Sequence, residues 1–302
     1  RFTADIAGTY ELGGMNRGER LEIGTYDGKP LMTELSGNVI DVCPVGALTN
    51  KVYRYKARAW ELTARDSVGY HDALGSNMFL HVHRNEVVRG VPRDNEAVNE
   101  CWLSDRDRYS HDGLYSDDRA TQPMVREGDT WRNATWDEAL NATVDILKAA
   151  QANDVGVLVH PATSNEEGAS LAALGFGNID HRLKQLDFAA DAVAEVFSIS
   201  VADIEHAKVV LLVGSNIRHE IPLLHQRLHK SSKRGQKVFA INPIDFEFTF
   251  ALAGKQIVKP SQIAKAVGNL ASENAAVFEA LKSCDGNAVI LLGELAENHA
   301  QA

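Results

Sequence analysis

The chain has 302 residues, 44% of them hydrophobic and 24% charged, an ordinary globular composition that excludes disordered, collagen-like and disulfide-scaffold classes. Lys+Arg 31 against Asp+Glu 41 leaves a net charge of −10, which argues against a nucleic-acid partner, because phosphate affinity rests on Lys and Arg displacing counterions. No apolar run approaches the roughly 20 residues of a spanning helix, so no direct membrane insertion is expected.

In chain order, residues 1–50 are rich in glycine and polar residues and carry no long periodic helix. They close on Ser36-Gly-Asn-Val-Ile-Asp-Val-Cys43-Pro-Val-Gly-Ala-Leu48. Residues 51–115 alternate with a period of two in Met78–His83 and Glu86–Pro92, which predicts short strands joined at Arg84-Asn85 and a small β-rich domain. From about 116 the pattern becomes β/α alternation. Thr135-Trp-Asp-Glu138 reads as a capping box opening a helix to about Ala150, with Glu138 reaching back to the N-cap. Apolar runs at Val155–His160, Val209–Val213, Val238–Asn242 and Asn287–Leu292 predict strands. Helices are predicted from Asn165 and over Pro222–Ser231. Continuous apolar strands separated by helices predict a doubly wound α/β domain over 116–302, its parallel sheet covered on both faces. Both ends read as cut: Arg1-Phe2-Thr3 opens inside a polar stretch, and a helix that opens after Gly293 stops at Ala302, so the chain reads as a piece of a longer protein.

Three widely spaced cysteines, Cys43, Cys101 and Cys284, read as reduced thiols or a remnant metal ligand rather than a bridge framework. Cys43 stands out, because Cys-Pro-Val-Gly-Ala-Leu has the form in which many ferredoxin-type motifs end. Proline donates no backbone N–H and keeps the chain extended, while small residues let backbone approach sulfur. The alternative is a structural cysteine. Gly214-Ser215-Asn216 after an apolar strand is a candidate nucleotide or pterin contact, set against a plain strand-to-helix turn. His81 and His83 would share a strand face, and with His71 could bind metal; a solvated sheet face is the simpler reading. His219, His225 and His229, with Arg227, Lys230, Lys233 and Arg234, read as cations complementing a helix C-terminus. Asp105-Arg-Asp-Arg108 reads as a solvated or subunit-facing charge cluster.

Ile6-Ala-Gly-Thr-Tyr-Glu-Leu-Gly13, Arg17–Tyr26, Glu34–Leu48, Tyr55–Leu62, Asp72–Asn77, Trp102–Tyr109 and Asn178–Leu183 together resemble the large iron–sulfur subunit of NADH:quinone oxidoreductase, respiratory complex I. The resemblance implies a molybdopterin-oxidoreductase-like α/β domain at 116–302, behind the tail of a 4Fe–4S domain (1–50) and the β-rich domain (51–115). It implies that Cys43 is the last ligand of a 4Fe–4S cluster whose other three cysteines precede Arg1, so that this piece holds no cluster by itself. The positions matching a further cluster in some relatives are Ser67, Tyr70, Leu74 and Ser104, and none offers a thiolate. The resemblance also makes the pterin site vestigial, with no molybdopterin.

The function so implied is relay of single electrons from NADH toward quinone through iron–sulfur clusters, within a respiratory-chain enzyme. This piece would serve mainly as scaffold plus one ligand, with other subunits of the complex as partners. Its expected place is peripheral, on the cytoplasmic side of a bacterial inner membrane, or the matrix side if organellar. Two other readings stay open: a molybdopterin-dependent oxidoreductase of the formate dehydrogenase type, and a non-catalytic interaction module.

Overall fold

The computed structural model describes residues 1–180 and 197–297. His181, Arg182 and Leu183 of the Asn178–Leu183 motif, and the residues after Glu297, lie outside them. The chain divides into two compact units, Arg1–His111 with Gln185–Ala302, and Asp112–Lys184.

The larger unit opens with a wide helical turn at Phe2–Ala7 and the antiparallel pair β1 (Leu12–Met15) and β2 (Glu22–Thr25). Helix α1 (Asn38–Asp41) follows, one residue short of the Val42-Cys43 step. The predicted β-rich region is a three-stranded antiparallel sheet of β3 (Thr63–Val68), β4 (Asn77–His83) and β5 (Glu86–Pro92). Arg84 and Asn85 both take positive φ, as a two-residue hairpin turn matched to strand twist requires. The register slips after His81, where Val82 pairs with Val87, so Val88 is left out of the ladder. Helix α2 (Asp105–Tyr109) ends this part. Ser104 is its N-cap, accepting from Asp107 N–H.

The smaller unit holds the hairpin β6 (Met124–Glu127) and β7 (Thr130–Asn133), then α3 (Trp136–Ala149). Thr135 caps α3 as predicted, but the Glu138 carboxylate pairs with Arg132 instead of returning to the N-cap, because a guanidinium outcompetes a backbone amide for it. The Val155–His160 run shortens to β8 (Gly156–Leu158). After α4 (Asn165–Ala173), whose N-cap Ser164 forms a full capping box with Glu167, β8 pairs in parallel with β9 (Asn178–Asp180). This is a two-stranded sheet of its own and adds no strand to the larger sheet.

The larger unit resumes with β10 (Val209–Val213), α5 (Ile217–Glu220), α6 (Pro222–Ser232), β11 (Lys237–Asn242) and β12 (Gly254–Ile257). Then come α7 (Ile263–Gly268), α8 (Leu270–Glu273), α9 (Ala275–Lys282), β13 (Ala288–Leu292) and α10 (Glu294–Glu297). Its sheet is parallel throughout, in the order β12-β11-β10-β13, with Leu211 opposite Phe239 and Ile290. Every residue of β10 is buried, because alternate side chains enter two cores. Val210 and Leu212 meet Leu224 and Leu228 of α6, while Leu211 and Val213 meet Ile263, Ala266, Val277 and Ala296. That two-sided burial is what an all-parallel sheet needs, and each such Val or Leu contributes about 1.5–3 kcal/mol. β12 was not anticipated, since Gly254-Lys-Gln-Ile257 has no apolar run; it pairs at the sheet edge, where half its side chains meet solvent.

Candidate metal centre

Cys43 lies just after α1, half-buried, at the head of the turn Pro44–Leu48. Leu48 N–H donates to its Sγ at 3.4 Å. That amide first, then that of Val45, holds the thiol below its ordinary pKa against desolvation, with lesser help from the amides of Ala47 and Gly46. Pro44 has no N–H to compete, so the turn wraps the sulfur in donors and favours a thiolate there.

The helix that presents Cys43 is pinned from α2. Asp105 accepts from Ser36 N–H (2.9 Å), Ser36 Oγ (2.5 Å) and Gly37 N–H (2.7 Å). Burial pushes its carboxyl up, and the Ser36 and Gly37 donors oppose that shift. Arg108, 2% exposed, donates to Asn38 Oδ1 at 3.0 Å and pairs with Asp41 at 2.5 Å. A Cβ on Gly37 would lie 2.4 Å from Arg108 Cδ, so only glycine admits the guanidinium stem. Asn38 bridges Leu35 O and Leu103 O and accepts from Leu103 N–H. The Asp105–Arg108 run is therefore no solvated cluster: Asp107 and Arg108 are buried, and Arg106 reaches His219 O and Glu220 O of α5. Sequence reading missed this role because the run's contacts lie about 70 residues away in Ser36–Asp41.

The remaining candidates scatter. Ser67 sits in β3, Tyr70 is exposed with its ring tilted against that of His71 at 4.2 Å between centroids, Leu74 N–H donates to Asp72, and Ser104 caps α2. Cys101 is exposed and Cys284 buried, its Sγ donating to Leu281 O. His81 accepts from Arg89 Nε at 2.9 Å, and burial and that cation push its pKa down. Among the described residues no three of His, Cys, Asp and Glu gather as a metal set. The cations of α6 serve buried contacts rather than the helix end. Arg227 pairs with Glu205 at 2.6 Å and donates to Glu96 O and Val98 O, and Lys230 pairs with Glu205 and Glu100.

The family model described as molybdopterin oxidoreductase matches residues 119–302, more than half of the chain. The chain belongs to the molybdopterin oxidoreductase family. Two further family matches precede it along the chain. The ferredoxin-like domain of NADH-quinone oxidoreductase subunit 3 matches 1–49, and an NADH-ubiquinone oxidoreductase NDSU1/NuoG-like 4Fe-4S domain matches 62–112. This member of the family is similar to an NADH-quinone oxidoreductase subunit from Rickettsia felis (38% identical over 78% of this chain and 36% of the relative). The homologue from Rickettsia bellii is 40% identical over 76% and 34%. The chain thus spans about a third of the length of these curated relatives. Within 62–112 the donor chemistry does not fit a cluster held by four thiolates, because Cys101 is the only cysteine there. At Cys43 it fits one ligand position, a sulfur ringed by amides.

Proposed function

We propose that this chain is part of the electron-relay subunit of an NADH-quinone oxidoreductase and that Cys43 supplies one thiolate to a 4Fe–4S cluster. The observation that carries the reading is the Leu48 N–H donated to the Cys43 sulfur at 3.4 Å, in a turn whose amides hold the thiol below its ordinary pKa. When bound, such a cluster takes up and releases one electron at a time. The amides of the turn would offset negative charge on the sulfur. Asp105 and Arg108 would keep α1, and with it Cys43, in one position relative to the β-rich sheet.

The reading divides the chain into a cluster-closing segment (1–50), a β-rich region (51–115) and an α/β scaffold (116–302). The three family matches at 1–49, 62–112 and 119–302 support that layout. Its partners would be the other subunits, and Tyr10, Tyr26, Tyr55 and Trp60, all largely exposed, offer apolar surface for them. Its place would be peripheral, on the cytoplasmic side of the bacterial membrane. No described helix is long and apolar enough to cross a bilayer.

The test is Cys43→Ala in the full-length protein, reconstituted anaerobically with iron and sulfide. One 4Fe–4S electron paramagnetic resonance signal should disappear while the others persist. An unchanged set of signals would remove Cys43 from the ligand set.

A further inference from the structure

In an open parallel sheet, ligands sit beyond the carboxyl ends of two strands whose outgoing chains leave for opposite faces. Here those strands are β10 and β13. The chain after β10 enters α5 and α6, whose Ile217, Leu224 and Leu228 pack with Val210 and Leu212. The chain after β13 enters α10, whose Ala296 packs with Leu211 and Val213 on the other face. The turn Gly214-Ser215-Asn216 lies in the gap. A molybdopterin phosphate, which the family implies, or a nucleotide phosphate would need open space and free N–H donors there.

Neither is available. Gly214 takes φ +57°, and a Cβ on it would lie 2.4 Å from Ala296 N, so the turns after β10 and β13 touch. Leu295 N–H donates to Gly214 O at 3.0 Å and Gly293 N–H to Val213 O at 2.9 Å, closing the gap from the β13 side. On the other side the donors of the turn are taken. Ser215 N–H goes to Asn242 Oδ1 at 2.8 Å, while Asn216 N–H (2.7 Å) and Ser215 Oγ (2.8 Å) both go to the carboxylate of Glu220. Ser215 is 1% exposed, so water does not reach it as a substitute. Arg106 holds the Glu220 carbonyl at 2.9 Å, which sets the residue in place, and Arg218 is drawn off to Glu34 at 3.0 Å.

We propose that Glu220 is a built-in anion. Its carboxylate takes the donors at which a ligand phosphate would be received, so the protein binds neither molybdopterin nor a nucleotide there. The family's characteristic group does not fit this member, whatever the fate of the cluster reading, which rests on Cys43 and its turn.

The full chain and its Glu220→Ala, Glu220→Gln and Ser215→Ala variants are titrated with pyrophosphate, read by calorimetry and by thermal unfolding. The unchanged protein should show no saturable binding. Glu220→Ala should unfold at lower temperature, regain part of the loss in pyrophosphate, and show saturable pyrophosphate binding where the unchanged protein shows none. Where Glu220→Ala does not fold, Glu220→Gln keeps an acceptor oxygen and the shape while losing the charge, and should show a smaller loss in the same direction. Saturable binding by the unchanged protein that Ser215→Ala weakens would overturn the proposal. So would folded Glu220 variants with the stability of the unchanged protein and no gain in binding.

Discussion

Three cysteines of one chain meet three different chemistries. Cys43 is ringed by amides that favour the thiolate; burial, then Asp94 and Glu100, pushes the Cys101 thiol up; Cys284 is buried and hydrogen-bonded to Leu281 O. The thiolate is the reactive form, so at slightly alkaline pH Cys43 should be alkylated by iodoacetamide before Cys101, despite the greater exposure of Cys101. Mass spectrometry of a time course reads the order directly, and Cys101 reacting first would mean the Pro44–Leu48 amides do not stabilise the sulfur. Cys43 stands apart from the other two cysteines already in its own hexapeptide. The amides around it belong to the next five residues, so their wrap is a local property that sequence reading could reach.

At the scale of elements, the strongest specification comes from pairs of short helices. α1 has only four residues and could not persist alone, since helix nucleation is costly. It is held by Asp105 at its start and Arg108 along its side. Asp105→Ala would leave the Ser36 and Gly37 amides without their acceptor in a mostly buried place, at about 2–4 kcal/mol. Hydrogen exchange should accelerate over 36–43 and stay unchanged over β10 and β11; uniform acceleration would mean that Asp105 supports the whole unit instead. The alternating charges of 105–108 look like surface to any reading of local pattern. Their burial depends on partners distant in sequence, and no periodicity reports that. The Glu138 cap is the reverse case: local pattern gave the right helix start, but Arg132 from the preceding strand captured the carboxylate.

At the scale of the whole larger unit, His225 couples fold to pH. It lies under Phe248 and Phe250, and its Nε2 accepts from Thr249 N–H at 3.3 Å. Burial first, then Arg218, His229 and His219, pushes its pKa down to about 3. The unfolded imidazole takes a proton below about 6.5, and the folded one does not until far lower. This residue therefore contributes stability at neutral pH that is lost as pH falls, about 2 kcal/mol between pH 7.5 and 5. His225→Gln should flatten the dependence of the urea midpoint on pH by about that amount, leaving the smaller part due to His229, whose pKa is also lowered by burial. An undiminished slope would mean that His225 accepts its proton without cost inside the fold.

By itself the sequence determined the apolar central strands of the α/β part, because burial on both faces of a parallel sheet requires unbroken apolar runs such as Val209–Val213. It also determined the hairpin at Arg84-Asn85 and the distinct character of Cys43. Only the tertiary structure decided that β8 pairs with β9 apart from the main sheet, and that a polar strand, β12, closes one edge. It alone decided that Asp105 and Arg108 pin α1, and that Glu220 takes the donors after β10. The physical reason is common to all four. Pairing of strands and capture of a hydrogen-bond donor depend on which groups arrive at about 3 Å, and that is set by the packing of the chain, whereas hydrophobic period is written along it.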